Sequence, residues 1–144
     1  MSNLTVEIQQ MDNWWHKLIF ICNREVSLEQ LVNLNISIEV LNLNLILSEE
    51  LSIIPKIKYP IYVEEIIQKR FDNRDNIYVF QHIDILFDPI LQTHPIRLFE
   101  NMSKQNKLII LWPGIYKDGK LIYAESGHPE HFICSEFEGE IMTI

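Results

Sequence analysis

The sequence predicts an α/β protein in which a mostly parallel sheet carries helices on both faces and is followed by a C-terminal antiparallel hairpin. Short runs of consecutive apolar residues alternate along the chain with segments of helical periodicity. The runs KLIFIC (17–22), IYVF (77–80) and KLIILW (107–112) are typical of strands buried on both faces of a parallel sheet. Helical segments between such strands cover the two faces. The tail differs, because its Asp-Gly pair is typical of a tight hairpin added at one edge of the sheet.

The length and composition favour one globular domain. A chain of 144 residues is too short for two cores of useful size, so we expect a single domain over residues 1–144. Apolar residues make up 47% of the sequence, which excludes a disordered chain. No apolar stretch reaches the about 18–20 residues of a membrane span. The N-terminus lacks a basic-then-apolar signal pattern, so we expect a cytoplasmic protein.

The charge and the cysteines narrow the classes of partner. A net charge of −8 argues against direct nucleic-acid binding, because phosphate contacts need clustered lysine and arginine. Cys22 and Cys134 each lie in an apolar run without a CxxC partner, which predicts buried free thiols and no zinc knuckle. The expected partners are therefore other proteins.

The first half of the chain is predicted to alternate helices and strands. Ser27 with Gln30 three residues later is a capping-box pattern, which predicts a short helix over SLEQLVNL. Pro55 ends one helical segment and Pro60 begins the next. In order, the predicted elements are a helix over 1–16, a strand over 17–22, a helix from 27 to 34, a strand over 36–42, a helix over 43–54 and a helix over 60–71.

The second half is predicted to add two more buried strands and a hairpin. The polar cluster DNRDN is typical of a loop, and Pro95 interrupts the helix that Pro89 begins. In order, the predicted elements are a loop over 72–76, a strand over 77–80, a helix over 89–103 broken at 95, a strand over 107–112, a turn at 117–120, a strand over 121–125, a turn at 127–130 and a last strand or edge segment from 131.

The element order is compatible with a doubly wound fold, including that of P-loop proteins. The segment after the first strand then decides whether the chain can bind nucleotide as a P-loop protein does. Such a protein places GxxxxGK and then Ser or Thr directly after that strand, where backbone N–H groups and the lysine hold the phosphates. Here Cys22 is followed by Asn23, Arg24, Glu25, Val26 and Ser27. This segment contains neither the glycine that the loop conformation requires nor a lysine. It is therefore a degenerate nucleotide loop.

The third strand gives an independent test of nucleotide chemistry. A Walker B element is an apolar strand followed by an acid that helps to hold Mg²⁺. Residues 77–80 fit the apolar part, but the next residue is Gln81, a neutral amide. Both nucleotide-binding elements thus fail, and we predict neither a nucleotide cofactor nor a catalytic residue.

Residues 77–131 carry a resemblance to a known family. HIDILFDP follows the apolar strand, HPIRLFENMS lies in the next helix, and a strand ends in Trp-Pro-Gly. The closing DGKLIYAESGHPE is the most specific part, and LNLNLILSEEL (41–51) extends the match weakly. This stretch resembles the BrxF family, the small P-loop-containing proteins of type 3 BREX phage-defence systems.

The resemblance implies a P-loop NTPase-like fold and a place in an antiphage defence complex. Because the loop after Cys22 and the residue at Gln81 depart from a working P-loop ATPase, it does not imply ATP binding here. A degenerate paralogue, or a member kept for assembly, is the natural interpretation. We therefore expect a non-catalytic binding subunit, with an ATP-binding subunit acting with a partner as an alternative.

Four residues are candidates for a protein interface. Trp14 and Trp15 are aromatic anchors of the kind that interfaces use, although one of them is also expected to pack on the sheet. His128 and Glu130 lie in the turn GHPE, which either shapes a contact surface or is a plain turn. A homodimer through the apolar surface around Trp14 is a further alternative.

A metal-dependent hydrolase is the alternative from a different class. Asp84 and Asp88 follow the third strand at the end where open α/β sheets bind ligands, with His82, His128 and His131 as further donors. The competing interpretation of Asp88 is a cap on the helix begun by Pro89. Since HPEH lacks the helical spacing of a zinc pair, we predict no metal site.

Arg97 also allows two interpretations. An arginine on an exposed helix can act as a finger toward the nucleotide of a partner subunit. The alternative is an ordinary solvated helix residue.

Overall fold

The computed structural model describes residues 2–22, 37–124 and 127–143. Apolar runs become strands, and segments of helical periodicity become helices. The α-helices of the described residues are α1 Ser2–Gln10, α2 Leu43–Leu51, α3 Tyr59–Gln68 and α4 Pro95–Met102. The strands are β1 Leu18–Cys22, β2 Ile38–Asn42, β3 Ile77–Gln81, β4 Lys107–Leu111, β5 Ile115–Lys117, β6 Lys120–Tyr123, β7 Phe132–Cys134 and β8 Glu140–Thr143.

The main sheet has five strands in the order β2-β3-β4-β1-β8, and every pair is parallel. The register places Phe20 of β1 beside Ile110 of β4 on one side and Ile141 of β8 on the other. All five residues of β1 are buried, as the run KLIFIC predicts. A strand in the interior of the sheet thus leads directly into the predicted nucleotide loop.

The sheet separates two apolar clusters, because successive strand residues point to opposite faces. Phe20 and Phe80 belong to the larger cluster, which contains the buried faces of α2, α3 and α4. Ile19 and Val79 face the other way, into a smaller cluster that α1 covers with Ile8. Helices therefore lie on both faces, as predicted.

Strands β5, β6 and β7 form a separate antiparallel sheet in that order. The predicted Asp-Gly turn is present: Asp118 and Gly119 have φ of 54° and 76°, the left-handed conformation that such a two-residue turn needs. The prediction that this hairpin extends one edge of the main sheet is wrong. Its third strand, β7, pairs with β6, while the edge beside β1 is occupied by β8.

A close backbone approach at Gly114 connects the small sheet to the end of β4. A Cβ at Gly114 would lie 1.8 Å from the carbonyl oxygen of Ile122, so only glycine fits. The same carbonyl accepts a hydrogen bond from Trp112 Nε1 at 3.1 Å. Phe87 then stacks on Tyr123 with ring centroids 3.9 Å apart. The small sheet is thereby fixed at the carboxyl end of β4.

Several predicted helices are shorter than their apolar periodicity suggests. The N-terminal helix ends at Gln10 and not at residue 16, because a 3₁₀ turn over Met11–Asn13 buries Met11 and Trp14 is already extended. The helix that follows β2 ends at Leu51, before Pro55. The chain over 89–103 forms a 3₁₀ turn and then α4, which begins at Pro95 because proline suits the first turn of a helix. The helix predicted over 27–34 lies outside the described residues.

Candidate functional site

The candidate site lies at the carboxyl ends of the parallel strands of the main sheet, because ligand sites in open α/β sheets lie there. We call this side of the sheet its carboxyl edge and the side where the strands begin its amino edge. Strand β1 ends at the buried Cys22. Burial raises the pKa of the Cys22 thiol to about 12, so the thiol is protonated at neutral pH and is not a nucleophile. The predicted loop of Asn23, Arg24, Glu25 and Ser27 follows directly and lies outside the described residues.

Gln81 is the last residue of β3 and is half-buried, opposite Asn42 in the register. The residue that follows the apolar part of β3 is therefore a neutral amide at the carboxyl end of the strand. An amide has no charge with which to hold Mg²⁺ strongly.

The nearest carboxylate beyond Gln81 already has a partner. Asp84 lies in a 3₁₀ turn, Asp84–Phe87, and its Oδ2 accepts a hydrogen bond from the Tyr123 hydroxyl at 2.8 Å. Burial and the adjacent Asp84 raise the pKa of Tyr123, which keeps the phenol protonated as the donor. Asp84 therefore fastens the small sheet to the turn that follows β3.

Asn44 organises the loop between Gln81 and Asp84, and sequence reasoning missed it. Its backbone N–H donates to the carbonyl of His82 at 2.8 Å, and its Oδ1 accepts from the N–H of Ile85 at 2.8 Å. His82 itself is in the left-handed region with φ of 50°. The only sequence signal was an asparagine within an apolar run, which does not reveal a partner 41 residues away.

A shallow, open hollow of about 420 Å³ lies beside this loop, lined by Asn42, Asn44, Leu45, Ser48 and His82. Asn42 Oδ1 caps α2 by accepting from the N–H of Leu45, and the Asn44 amide oxygen is bonded as described above. The amide oxygens of this hollow therefore stabilise α2 and the loop after β3.

Asp88 and His94 both cap short helical segments. Asp88 Oδ1 accepts from the N–H of Ile90 at 3.0 Å, so the prediction that Asp88 caps the segment begun by Pro89 is confirmed. His94 Nδ1 accepts from the N–H of Arg97 at the start of α4. Burial, with the charge of Arg97, lowers the pKa of His94 and keeps it a neutral acceptor.

The residues considered for a metal site take separate roles. His128 Nδ1 accepts from the N–H of Glu130, and His131 Nδ1 lies 3.1 Å from the carbonyl oxygen of Ala124. Asp84 and Asp88 make the contacts given above. Within the part of the chain that the structure describes, no three His, Cys, Asp or Glu side chains come together as a ligand set.

Arg97 is half-exposed but holds two segments of the chain together. Its Nη1 donates to both oxygens of Glu100, at 2.9 and 3.0 Å, and its Nη2 donates to the carbonyl of Glu136 at 2.8 Å. Glu100 also accepts from the N–H of Glu138 at 2.7 Å. Arg97 thus fixes the segment that leads into β8, so its guanidinium is engaged within the chain.

The predicted interface residues differ in exposure. Trp14 is partly buried against the smaller apolar cluster, whereas the side chain of Trp15 is 76% exposed. One tryptophan thus packs on the sheet and its neighbour faces solvent, in agreement with the expectation. His128 is exposed and Glu130 half-buried in the turn before β7.

The connection between α2 and α3 exposes apolar side chains that sequence reasoning did not single out. Ile53 and Ile57 are each 88% exposed, and Ile61 is 71% exposed. Lys56 and Lys58 lie between them in a 3₁₀ turn. Ile61 lies in the first turn of α3. The available signal was Pro55 followed by Lys56 and Lys58, which places Ile53 and Ile57 in a connection and not on a buried helix face.

No family model matches this chain, and neither a curated protein nor a solved structure matches it. Among the described residues, every helix is too short or too polar to cross a membrane.

Proposed function

We propose that this chain is a non-catalytic assembly subunit of a BREX-like antiphage defence complex, with a P-loop-like fold that lacks nucleotide chemistry. The observation that carries the proposal is at the end of β3. In a P-loop-like fold the residue after the apolar part of β3 would be the Walker B acid. Here that residue is Gln81, and the next acid, Asp84, accepts a hydrogen bond from the Tyr123 hydroxyl at 2.8 Å. The sequence NREVS after Cys22 supports the same conclusion, because it offers neither glycine nor lysine.

The exposed side chains support binding to other proteins. The side chain of Trp15 is 76% exposed, and tryptophan is one of the residue types that most often dominate the binding energy of protein interfaces. Ile53 and Ile57 present additional apolar surface that a partner would remove from water. The defence context rests on the resemblance of residues 77–131 to the BrxF family.

The test is genetic complementation combined with co-purification. In a host carrying such a defence system, the chromosomal gene is replaced by tagged versions of this chain, and both phage plating and recovery of the defence subunits are measured. We expect Gln81→Ala to preserve protection and assembly, because Gln81 does no chemistry. We expect Trp15→Ala to reduce both, because the exposed indole contributes to binding.

Two results would contradict the proposal. Loss of protection by Gln81→Ala with an intact complex would assign Gln81 a chemical role. Normal protection after deletion of the gene would exclude a role in defence. The matched control is Val6→Ala, another exposed apolar position, which we expect to behave like the wild type.

A further inference from the structure

The edge of the sheet opposite the candidate site concentrates positive charge on an acidic chain. Six of the twelve lysine and arginine residues lie at or beside the amino ends of β1, β3 and β4, namely Lys17, Lys69, Arg70, Arg74, Lys104 and Lys107. Arg70 pairs with Glu50 at 3.0 Å and Lys107 with Asp12 at 3.5 Å. Within the described residues, Arg74 and Lys104 pair with no carboxylate.

Arg74 and Lys104 line a cleft of about 480 Å³ between the ends of α3 and α4. Five side-chain amides line the same cleft: Gln68, Asn73, Asn101, Gln105 and Asn106. Its one carboxylate, Asp72, accepts a hydrogen bond from the Tyr78 hydroxyl at 3.0 Å. Arg74 Nη2 also donates to Gln105 Oε1 at 3.2 Å, and each of the five amides uses one of its two polar atoms in a bond within the chain. The cleft therefore combines two cations with amides that each keep their second polar atom for a ligand.

The exposed Trp15 lies in a segment that is bonded to this cleft. The backbone N–H of Lys17 donates to the carbonyl of Ser103 at 2.9 Å, and Lys17 Nζ lies 3.5 Å from the carbonyl of Lys104. Lys17 Nζ also donates to the carbonyl of Trp14 at 2.9 Å. The segment that carries Trp15 is thus bonded to the segment that carries Lys104, and we name the cleft together with Trp15 the amino-edge surface.

We propose that the amino-edge surface binds an acidic peptide segment of a partner protein, and this inference rests on the proposed assembly function. Side-chain amides match the alternating donors and acceptors of an extended peptide backbone. The guanidinium of Arg74 and the ammonium of Lys104 match carboxylates on that segment. Trp15 takes an apolar side chain of the same segment.

A peptide fits this surface better than a nucleic acid does. A strand of phosphates carries a charge at every nucleotide and needs several cations in a row. The cleft offers two such cations, Arg74 and Lys104, which match two carboxylates of a peptide but not a continuous row of phosphates.

The test is selection of a random peptide library, displayed on phage, against the immobilised full chain. We expect the enriched peptides to be rich in aspartate and glutamate and to contain an apolar residue. Their affinity, measured by fluorescence polarisation, is expected to fall about tenfold or more in the double variant Arg74→Glu/Lys104→Glu, and also in Trp15→Ala. High salt is expected to weaken binding, because the contacts are charged and accessible to solvent.

The matched control is the double variant Lys56→Glu/Lys58→Glu, which makes the same charge change at the connection between α2 and α3. We expect this variant to bind the peptides like the wild type. The melting temperature of every variant is measured to establish that each is folded. Enrichment of neutral or basic peptides, or of no peptide, would overturn the inference. So would an equal loss of affinity in both double variants, or displacement of the peptide by equimolar single-stranded DNA.

Failure of this inference is distinguishable from failure of the proposed function. If the amino-edge double variant still recovers the defence subunits at the wild-type level, the amino-edge surface is not the docking site, while the assembly function stands. If the wild-type chain recovers no defence subunit, the assembly function itself fails.

Discussion

At the scale of single residues, the polar groups near the carboxyl ends of the strands hold the protein together. Asp84 accepts from Tyr123, Asn44 bonds the loop after β3, and His94 caps α4. Each of these contacts joins segments that are distant in sequence or closes a helix end. Asp84, which the sequence offered as a donor for a metal site, therefore has a structural role.

Tyr123→Phe is expected to lower the free energy of unfolding by about 1 kcal/mol, because it removes one hydrogen bond and leaves the partly buried Asp84 without its donor. Urea denaturation measures the change. The control is Tyr62→Phe, since the Tyr62 hydroxyl makes no hydrogen bond within the described residues while its ring packs against the same core. Equal effects of the two substitutions would show that the bond to Asp84 contributes nothing.

His94 is expected to make stability depend on pH in the acid range. Because folding lowers its pKa, the folded protein binds this proton more weakly than the unfolded chain does. The stabilisation is present above about pH 6.5 and is lost as the pH falls through the lowered pKa of the folded state. As the pH is lowered through this range, the melting temperature of the wild type is expected to fall more steeply than that of His94→Asn, because asparagine caps the helix without binding a proton. Parallel curves would contradict this assignment.

At the scale of elements, the sequence predicts what local patterns determine. Continuous apolar runs correctly mark β1, β3 and β4, because a strand buried on both faces has no polar position. The Asp-Gly pair correctly marks the turn at 118–119, because left-handed backbone favours these residues. The strand β8 was missed, since Glu140–Thr143 is short and partly exposed and becomes a strand only by pairing with β1.

The candidate site was predictable only in part for the same reason. Asp88 could be assigned because its capping role follows from the adjacent Pro89. The contacts of Asn44 with Ile85, of Tyr123 with Asp84 and of Arg97 with the carbonyl of Glu136 could not, because they join residues 39 to 41 positions apart. No local spacing encodes such contacts.

The Arg97–Glu100 pair is expected to hold the segment before β8 in place. Glu100→Ala removes the carboxylate that accepts from Arg97 Nη1 and from the N–H of Glu138. We expect the free energy of unfolding to fall by about 1–2 kcal/mol, which is less than for a buried ion pair because Arg97 is half-exposed. Hydrogen exchange over 137–143 is expected to accelerate. The control is Glu136→Ala, which leaves the backbone carbonyl that Arg97 uses. Unchanged exchange in Glu100→Ala would contradict this role.

At the scale of the whole molecule, the two edges of the main sheet differ in character. The carboxyl edge has the neutral Gln81 and an Asp84 that is bonded to Tyr123, whereas the amino edge has the exposed side chains of Trp15, Arg74 and Lys104. A parallel sheet places all its strand starts at one edge and all its strand ends at the other, so these properties are segregated on opposite sides. Under the proposed function, a partner protein binds at the amino edge, and no nucleotide binds at the carboxyl edge.

The central claim is that the chain assembles with other proteins without binding nucleotide, and isothermal titration of the full chain with ATP and Mg²⁺ tests it most directly. The account predicts no heat of binding beyond dilution, because the segment after Cys22 has no glycine or lysine and β3 ends in an amide. Saturable binding with a micromolar dissociation constant would contradict it.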